Sequence, residues 1–293
     1  MKILISDAFD ATLPVKLARF GEVTDDKEQL QSADVVLIRS KTRCTREYID
    51  NAPNLKLIIR GGVGLDNVDQ VYAGEKGIKV FNTAAASSVA VAELAFAHMI
   101  ALPNHVIAGH NSMKEGKWIK KELKRTELMG KTLGVIGCGR IGSEVAKRAR
   151  AFGMEVIGYD LIPIDSEYMT VYNDLDQVLP QCDYLSLNIP LTDQTKGMVN
   201  SELISKMKDG VYITNTGRGK AVVEEDVVAA LESGKIKGYA TDVWFSDPPE
   251  NSPLIGAPNT LLSPHLGAST TENLQRIGEI VEDLIGKFAA GNL

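Results

Sequence analysis

Four side chains in the C-terminal half of the chain have types that can move a proton and hold an anion. Arg218 lies in TNTGRGK, Asp242 and Asp247 in ATDVWFSDPP, and His265 in TLLSPHLGAS. Each segment follows a short apolar run that reads as a strand: GVYIT, KGYAT and NTLLS. In open α/β sheets, ligands bind beyond the carboxyl ends of the strands. An arginine, a carboxylate and a histidine at that edge suit hydride exchange with a carbonyl. Arginine grips a carboxylate bidentately and polarises a neighbouring oxygen. An imidazole takes or gives the hydroxyl proton. A carboxylate beside it orients the ring and favours its charged form. Taken singly, each has a plainer reading: a hydrogen-bonded core histidine, a surface ion pair, a loop cap. Their shared position after consecutive strands favours the chemical one.

The cofactor signal is TLGVIGCGRIGSEVAKRARAFGMEVIGYD. Gly137, Gly139 and Gly142 form G-x-G-x-x-G between a predicted strand and a predicted helix. The first glycine permits the tight turn, the second lets a pyrophosphate reach the backbone, and the third lets helix and strand pack closely. Unpaired N–H groups at the helix start then face the phosphates. Asp160 ends the next strand, where a carboxylate accepts from ribose hydroxyls and repels a 2′-phosphate. No arginine follows in DLIPID, so NAD is expected rather than NADP. S-adenosylmethionine on a related domain is the alternative.

These groups need parallel sheets to carry them. KILISD, DVVLIRS, LKLIIRGG and IKVFN read as buried parallel strands alternating with amphipathic stretches such as TREYIDNA and NVDQVYAGEKG. A helix is expected from about Ser88, ended or kinked by Pro103, with a second running toward Gly116. Six further strand candidates follow: TLGVIG, EVIGYD, DYLSLNI, GVYITNT, KGYATDV and NTLLSP. Six is the count of a dinucleotide-binding sheet. Ser269 and Glu272 fit a capping box ahead of a last helix.

At 293 residues and 44% hydrophobic content the chain has room for two domains. Its net charge of −6 argues against a nucleic-acid surface. Cys44, Cys138 and Cys182 lack metal-ligand spacing and cannot all pair, which fits a reducing cytoplasm. Met1-Lys2 leads straight into the first strand rather than a secretion signal. The longest apolar stretch, VAVAELAFAHMIAL, carries Glu93 and His98 and is expected to be too short and polar to span a membrane. No metal and no membrane partner is expected.

From end to end, the chain resembles the D-isomer-specific 2-hydroxyacid dehydrogenases. GKTLGVIGCGRIGSEVA, NTGRGKAVVEEDVVAAL and SPHLGAST are similar to that family's signature segments. LIRSKTRCT, IIRGGVGLDNVD and SMKEGKWIKKELKRTEL resemble members acting on D-3-phosphoglycerate. The resemblance implies two Rossmann/flavodoxin-like parallel-sheet lobes with the active site in the cleft between them. Residues 1–92 with 270–293 would form the substrate lobe, and 93–269 the NAD lobe. It also implies a homodimer built on the helix near Ala90–Leu102 and the GKWIKKELKR arm.

Residue by residue, Arg218 matches the carbonyl-polarising arginine and His265 the acid–base histidine. Asp247 stands where the family carries glutamate, one methylene longer, so the contact with His265 is expected to be longer, water-bridged, or recovered by a loop shift at Pro248-Pro249. NAD contacts are implied for Gly137, Gly139, Arg140, Ile141, Gly142, Asp160, Ile189, Pro190, Thr195, Thr216, Gly217, Arg218, Asp242, His265, Gly267 and Ala268. For the substrate, the amides of Gly62, Val63 and Gly64 would cradle the carboxylate, and glycines suit such a nest. Arg39 and Ser40 would face the phosphate, and Ser87 stands where an asparagine is usual. The expected reaction is oxidation of D-3-phosphoglycerate to 3-phosphohydroxypyruvate. Glyoxylate or hydroxypyruvate reduction is the alternative, and an NAD-sensing interaction protein a remote one. No serine-sensing regulatory domain follows the last helix, so feedback through one is not expected.

Overall fold

The computed structural model describes residues 1–293, which divide into two compact units: Met1–Ala90 with Ala268–Leu293, and Val91–Gly267.

The first unit contains β1 (Lys2–Ile5), α1 (Leu13–Leu17), β2 (Glu22–Thr24), β3 (Val35–Ile38), α2 (Arg46–Asp50), β4 (Leu57–Arg60), α3 (Gln70–Glu75) and β5 (Lys79–Asn82). All its strand pairs are parallel, in the order β2-β1-β3-β4-β5. This is the flavodoxin-like winding. Side chains alternate between the two faces. Ile3, Val35, Leu37, Leu57 and Ile59 join Leu13, Leu17 and the C-terminal helix, while Leu4, Val36, Ile38 and Ile58 join Ile49 and Ala73 on the other side. Burial on both faces explains why VVLI carries no polar residue.

The unit boundary falls within α4 (Ala84–Ala101). The second unit continues with α5 (Val106–Lys114), β6 (Thr132–Ile136), α6 (Arg140–Ala151), β7 (Glu155–Tyr159), β8 (Thr170–Tyr172), β9 (Tyr184–Leu187), α7 (Ser201–Ser205), β10 (Val211–Asn215), α8 (Glu224–Ser233), β11 (Ile236–Thr241) and β12 (Thr260–Leu262). The last helix is α9 (Thr271–Ala289). The strand order is β12-β11-β10-β9-β6-β7-β8, all parallel. This is the dinucleotide-binding winding with one further strand, β12, and its switch point lies between β6 and β9.

The structure corrects four sequence expectations. The second sheet has seven strands rather than six, because β8 was not expected. Nor was β2 in the first sheet. Both are three-residue edge strands with no fully buried residue, so neither shows an apolar run. α4 begins at Ala84, ahead of Ser88, so its 18 residues reach the length and apolarity of a membrane span. More than half of it is buried in protein, with Ala92, Ala95, Phe96 and Met99 packed against Leu133 and Val135. α9 is capped by Thr270, whose hydroxyl accepts from Asn273 N–H at 3.1 Å, instead of by Ser269. Thr270 is the residue with the extended backbone an N-cap needs.

Candidate active site

The G-x-G-x-x-G turn follows β6 directly at the switch point. Gly137 has φ of +90°, and a Cβ there would meet the Asn188 carbonyl at 2.9 Å. A Cβ on Gly142 would lie 2.2 Å from the Gly137 oxygen, so only glycine lets α6 start this close to β6. Gly139 is different: nothing lies within 4 Å of where its Cβ would be. It caps α6, whose first turn contains Arg140, Ile141 and Gly142. The middle glycine therefore keeps an open backbone cradle at a helix N-terminus, as a pyrophosphate requires.

Asp160 sits just past β7. Its Oδ2 accepts from Cys138 N–H at 2.8 Å and its Oδ1 from Ile162 N–H at 3.3 Å. Each oxygen keeps a lone pair for a ribose hydroxyl. Burial, with a smaller push from Asp160, raises the Cys138 thiol to about 12, so it stays protonated. Thr216 Oγ1 is buried without a partner in the protein, as a ligand contact would leave it. Thr195 donates to the Pro190 carbonyl at 2.6 Å and accepts from Thr192 N–H at 2.8 Å, so its hydroxyl closes the loop after β9.

Arg218 is set by its neighbours. A Cβ on Gly217 would lie 2.9 Å from the Ile189 oxygen, and one on Gly219 would lie 2.1 Å from the Trp244 carbonyl carbon. The arginine loop is thus wedged between the loops after β9 and β11. Fully buried Asn215 ties it down: its amide donates to the Arg218 carbonyl at 3.1 Å, and its oxygen accepts from Gly217 N–H at 3.1 Å. The Arg218 guanidinium donates to the Gly217 carbonyl at 2.7 Å.

β10, β11 and β12 are neighbours, so the loops of Arg218, Asp242 and His265 leave the sheet side by side. His265 Nδ1 lies 2.5 Å from Asp247 Oδ2. The shorter aspartate therefore reaches the imidazole directly, rather than by a longer or water-bridged contact. A carboxylate only accepts, so Nδ1 carries the proton and Nε2 is left to exchange one. His265 has φ of +56°, a left-handed backbone that β-carbon-bearing residues seldom adopt. The carboxylate of Asp242, 2% exposed, accepts from Ser263 Oγ at 2.6 Å, Leu266 N–H at 2.8 Å and Gly267 N–H at 2.8 Å.

The first unit holds the remaining candidates. The turn bearing Arg39 and Ser40 is clasped by Asp7, which accepts from Arg39 N–H at 2.6 Å and Thr42 Oγ1 at 2.8 Å. Asn67 donates to the Arg39 and Thr42 carbonyls, each at 2.7 Å. The Arg39 guanidinium donates to the carbonyls of Ala268 at 3.1 Å, Gly61 at 3.4 Å and Ala8 at 3.4 Å. Its burial lowers its pKa from the usual arginine value, with Asp7 opposing. Ser40 is exposed.

Two expectations are corrected here. Gly62 N–H donates to Thr83 Oγ1 at 2.8 Å inside the unit, so an anion nest there would rest on Val63 and Gly64. Ser87 is fully buried and accepts from Asn273 Nδ2 at 3.2 Å, which encloses it away from any ligand. Sequence reasoning missed Asp7, Asn67, His98, Asn215 and Ser263. Asn67, inside IIRGGVGLDNVD, Asn215, inside TNTGRG, and Ser263, two residues before His265, lay within or beside a recognised segment.

This winding, with a glycine cradle at its switch point and a His–carboxylate pair at the same strand edge, defines an NAD-binding oxidoreductase. Residues 96–267 match the family model for the D-isomer specific 2-hydroxyacid dehydrogenase NAD binding domain. The chain is 46% identical over 259 residues to hydroxypyruvate reductase of Thermotoga maritima, covering 87% of this chain and 85% of that one. It is 41% identical over 305 residues to D-3-phosphoglycerate dehydrogenase of Methanocaldococcus jannaschii, covering 100% of this chain but 58% of the relative. The crystal structure of D-lactate dehydrogenase from Aquifex aeolicus, complexed with NAD and lactic acid, superposes over 100% of this chain and 96% of that one. Its TM-score is 0.89, at 31% identity. The chain belongs to the D-isomer specific 2-hydroxyacid dehydrogenases, NAD-dependent oxidoreductases.

Proposed function

We propose that the protein interconverts D-3-phosphoglycerate and 3-phosphohydroxypyruvate. The observation that carries the reaction class is the 2.5 Å contact between His265 Nδ1 and Asp247, one strand away from the Arg218 loop. Bound NAD supplies the hydride acceptor. His265 Nε2 takes the hydroxyl proton as C2 is oxidised, and Asp247 stabilises the imidazolium that results. Arg218 holds the carboxylate and polarises the developing carbonyl. In reduction, the same proton returns from His265 to the oxygen.

Asp160 would accept from the adenosine ribose, and the amides of Arg140 to Gly142 would meet the pyrophosphate. The other NAD contacts fall to Ile189, Pro190, Thr216, Gly217 and the His265–Ala268 segment. The amides of Val63 and Gly64 would cradle the substrate carboxylate. What supports the phosphorylated acid is Arg39, a cation held in a defined place by neutral carbonyls, two of them at 3.4 Å and one at 3.1 Å, which a phosphate dianion would exceed in strength. Exposed Trp118, on the GKWIKKELKR arm, favours a second copy of this chain there. The three buried free thiols fit a cytoplasmic enzyme.

A second reading, reduction of hydroxypyruvate or glyoxylate, is favoured by the 46% identity to a hydroxypyruvate reductase. It is also favoured by the donation of Arg39 to three backbone carbonyls, which occupies the cation within its own unit. Steady-state assays with 3-phosphohydroxypyruvate, hydroxypyruvate and glyoxylate separate the two. The expected result is a higher kcat/KM for the phosphorylated acid. Turnover of the two small acids with none of the phosphorylated one rejects it.

A further inference from the structure

His98 is buried in α4, 4% exposed, and its Nε2 lies 3.2 Å from Ser263 Oγ. Ser263 donates its only hydroxyl proton to Asp242 Oδ1 at 2.6 Å, because a carboxylate cannot donate. The serine oxygen must therefore accept from His98, which puts the ring proton on Nε2. His98 Nδ1 is buried without a partner, and burial lowers the pKa of this imidazole against the pull of Asp242, so the ring is neutral. The result is a directed chain: His98 Nε2–H to Ser263, Ser263 to Asp242, and Asp242 to the amides of Leu266 and Gly267. Those two amides immediately follow His265, which is held at φ of +56°.

We infer that His98 and Ser263 are positioning residues that fix the backbone of the proton-transferring His265 through Asp242. This rests on the reading of His265 as the acid–base residue. The physical logic is one of orientation. A carboxylate with free rotation would present its oxygens to Leu266 and Gly267 in many geometries. The Ser263 hydroxyl, itself oriented by His98, locks the carboxylate in the plane that serves both amides. A Cβ on Gly267 would come within 3.1 Å of Asp242 Oδ2, so the loop has little room to find another arrangement. Ser263 is also fixed by its own backbone, whose carbonyl accepts from Trp244 Nε1 at 3.0 Å.

The test compares Ser263→Ala, Ser263→Thr, His98→Leu and His98→Gln in the full chain. Misplacing a catalytic group by about an ångström costs up to about a hundredfold in rate. With Asp242 still present, Ser263→Ala and His98→Leu are expected to lower kcat about tenfold, while KM for the acid changes less than about twofold and KM for NAD, which meets the same segment, rises by less than kcat falls. Ser263→Thr keeps the hydroxyl, and His98→Gln keeps a donor at a similar reach; both should restore kcat to within about twofold. A purely structural role would lower the melting temperature and leave kcat of the folded enzyme alone. Wild-type kcat in Ser263→Ala and His98→Leu, or failure of both conservative variants to rescue, overturns the inference. The His265 Nδ1 proton, deshielded by its short bond to Asp247, gives an NMR readout independent of turnover. It should move upfield in Ser263→Ala and stay in place in Ser263→Thr. If the wild type oxidises no 2-hydroxy acid, the functional reading fails, and this resonance alone decides the positioning role. An unmoved resonance in Ser263→Ala then rejects it.

Discussion

The two units hold their functional groups by different means. In the second unit close-packed backbone frames the turns, and Asn215 and Asp242 tie the Arg218 and His265 loops onto that frame: Gly137, Gly142, Gly217 and Gly219 each occupy a place where a single added carbon would meet another main-chain atom at 2.9 Å or less. In the first unit the Arg39 turn has only a side-chain clasp, the hydrogen bonds of Asp7 and Asn67. Backbone contacts can be changed only by moving whole strands, whereas a side-chain clasp is reset by one substitution. A chemical step shared across a family belongs in the first kind of frame and substrate choice in the second.

The largest expected effect splits the units by function. His265→Asn should lower kcat by about 10²- to 10⁴-fold for every 2-oxo acid, because it removes the group proposed as general acid. Arg39→Ala should instead raise KM for 3-phosphohydroxypyruvate about ten- to a hundredfold, the worth of a charge-assisted hydrogen bond or two, and affect glyoxylate far less. Steady-state kinetics on both acids check this. If Arg39→Ala depresses glyoxylate turnover as deeply as His265→Asn does, the division of labour is wrong.

The glycines allow a sharper test within the second unit. Gly219→Ala drives a Cβ to 2.1 Å from the Trp244 carbonyl carbon, so the arginine loop must shift. Overpacking of this kind costs about 1–3 kcal/mol, read as a drop in urea midpoint together with lost activity. Gly139→Ala meets nothing within 4 Å, so its urea midpoint should match the wild type. Its KM for NAD should still rise about tenfold, or about 1.4 kcal/mol, because the new methyl lies in the phosphate cradle. Equal stability losses in the two variants would mean that Gly139 is held by packing and not kept open for a ligand.

What was legible in the sequence follows the same division. Both faces of each central strand are buried, so β3, β4, β6, β9 and β10 announce themselves as apolar runs. Gly137 and Gly142 announce the turn because no other residue fits there. β2 and β8 were silent, being edge strands of three residues without a buried position. Among site residues, Arg218 and His265 carry recognisable motifs. Asp7 and Asn67 reach the Arg39 turn from 32 and 28 residues away, and His98 reaches Ser263 from 165 away. No local pattern encodes such pairings. Ser87 misled because its position in the chain fits a ligand loop, while its burial depends on Asn273, 186 residues on.

The smallest effect concerns the cost of keeping His98 neutral. In the unfolded chain its imidazole titrates near 6.5, and in the folded protein burial lowers that value. Above pH 6.5 neither state binds the proton and folding is unpenalised. Below it the unfolded chain takes up a proton that the fold resists, so stability falls with pH until the lowered folded pKa is reached. The slope is at most about 1.4 kcal/mol per pH unit for one proton. Urea midpoints between pH 7.5 and 5.5 would read it as the difference between the wild type and His98→Gln, which keeps the donor to Ser263 but does not titrate. The wild type should lose stability faster on acidification, and the other histidines cancel in the difference. Parallel profiles would mean that the buried ring gains its proton as easily as an exposed one. The extra proton would then sit on Nδ1, and the Nε2–H donation to Ser263 would be the same in both charge states.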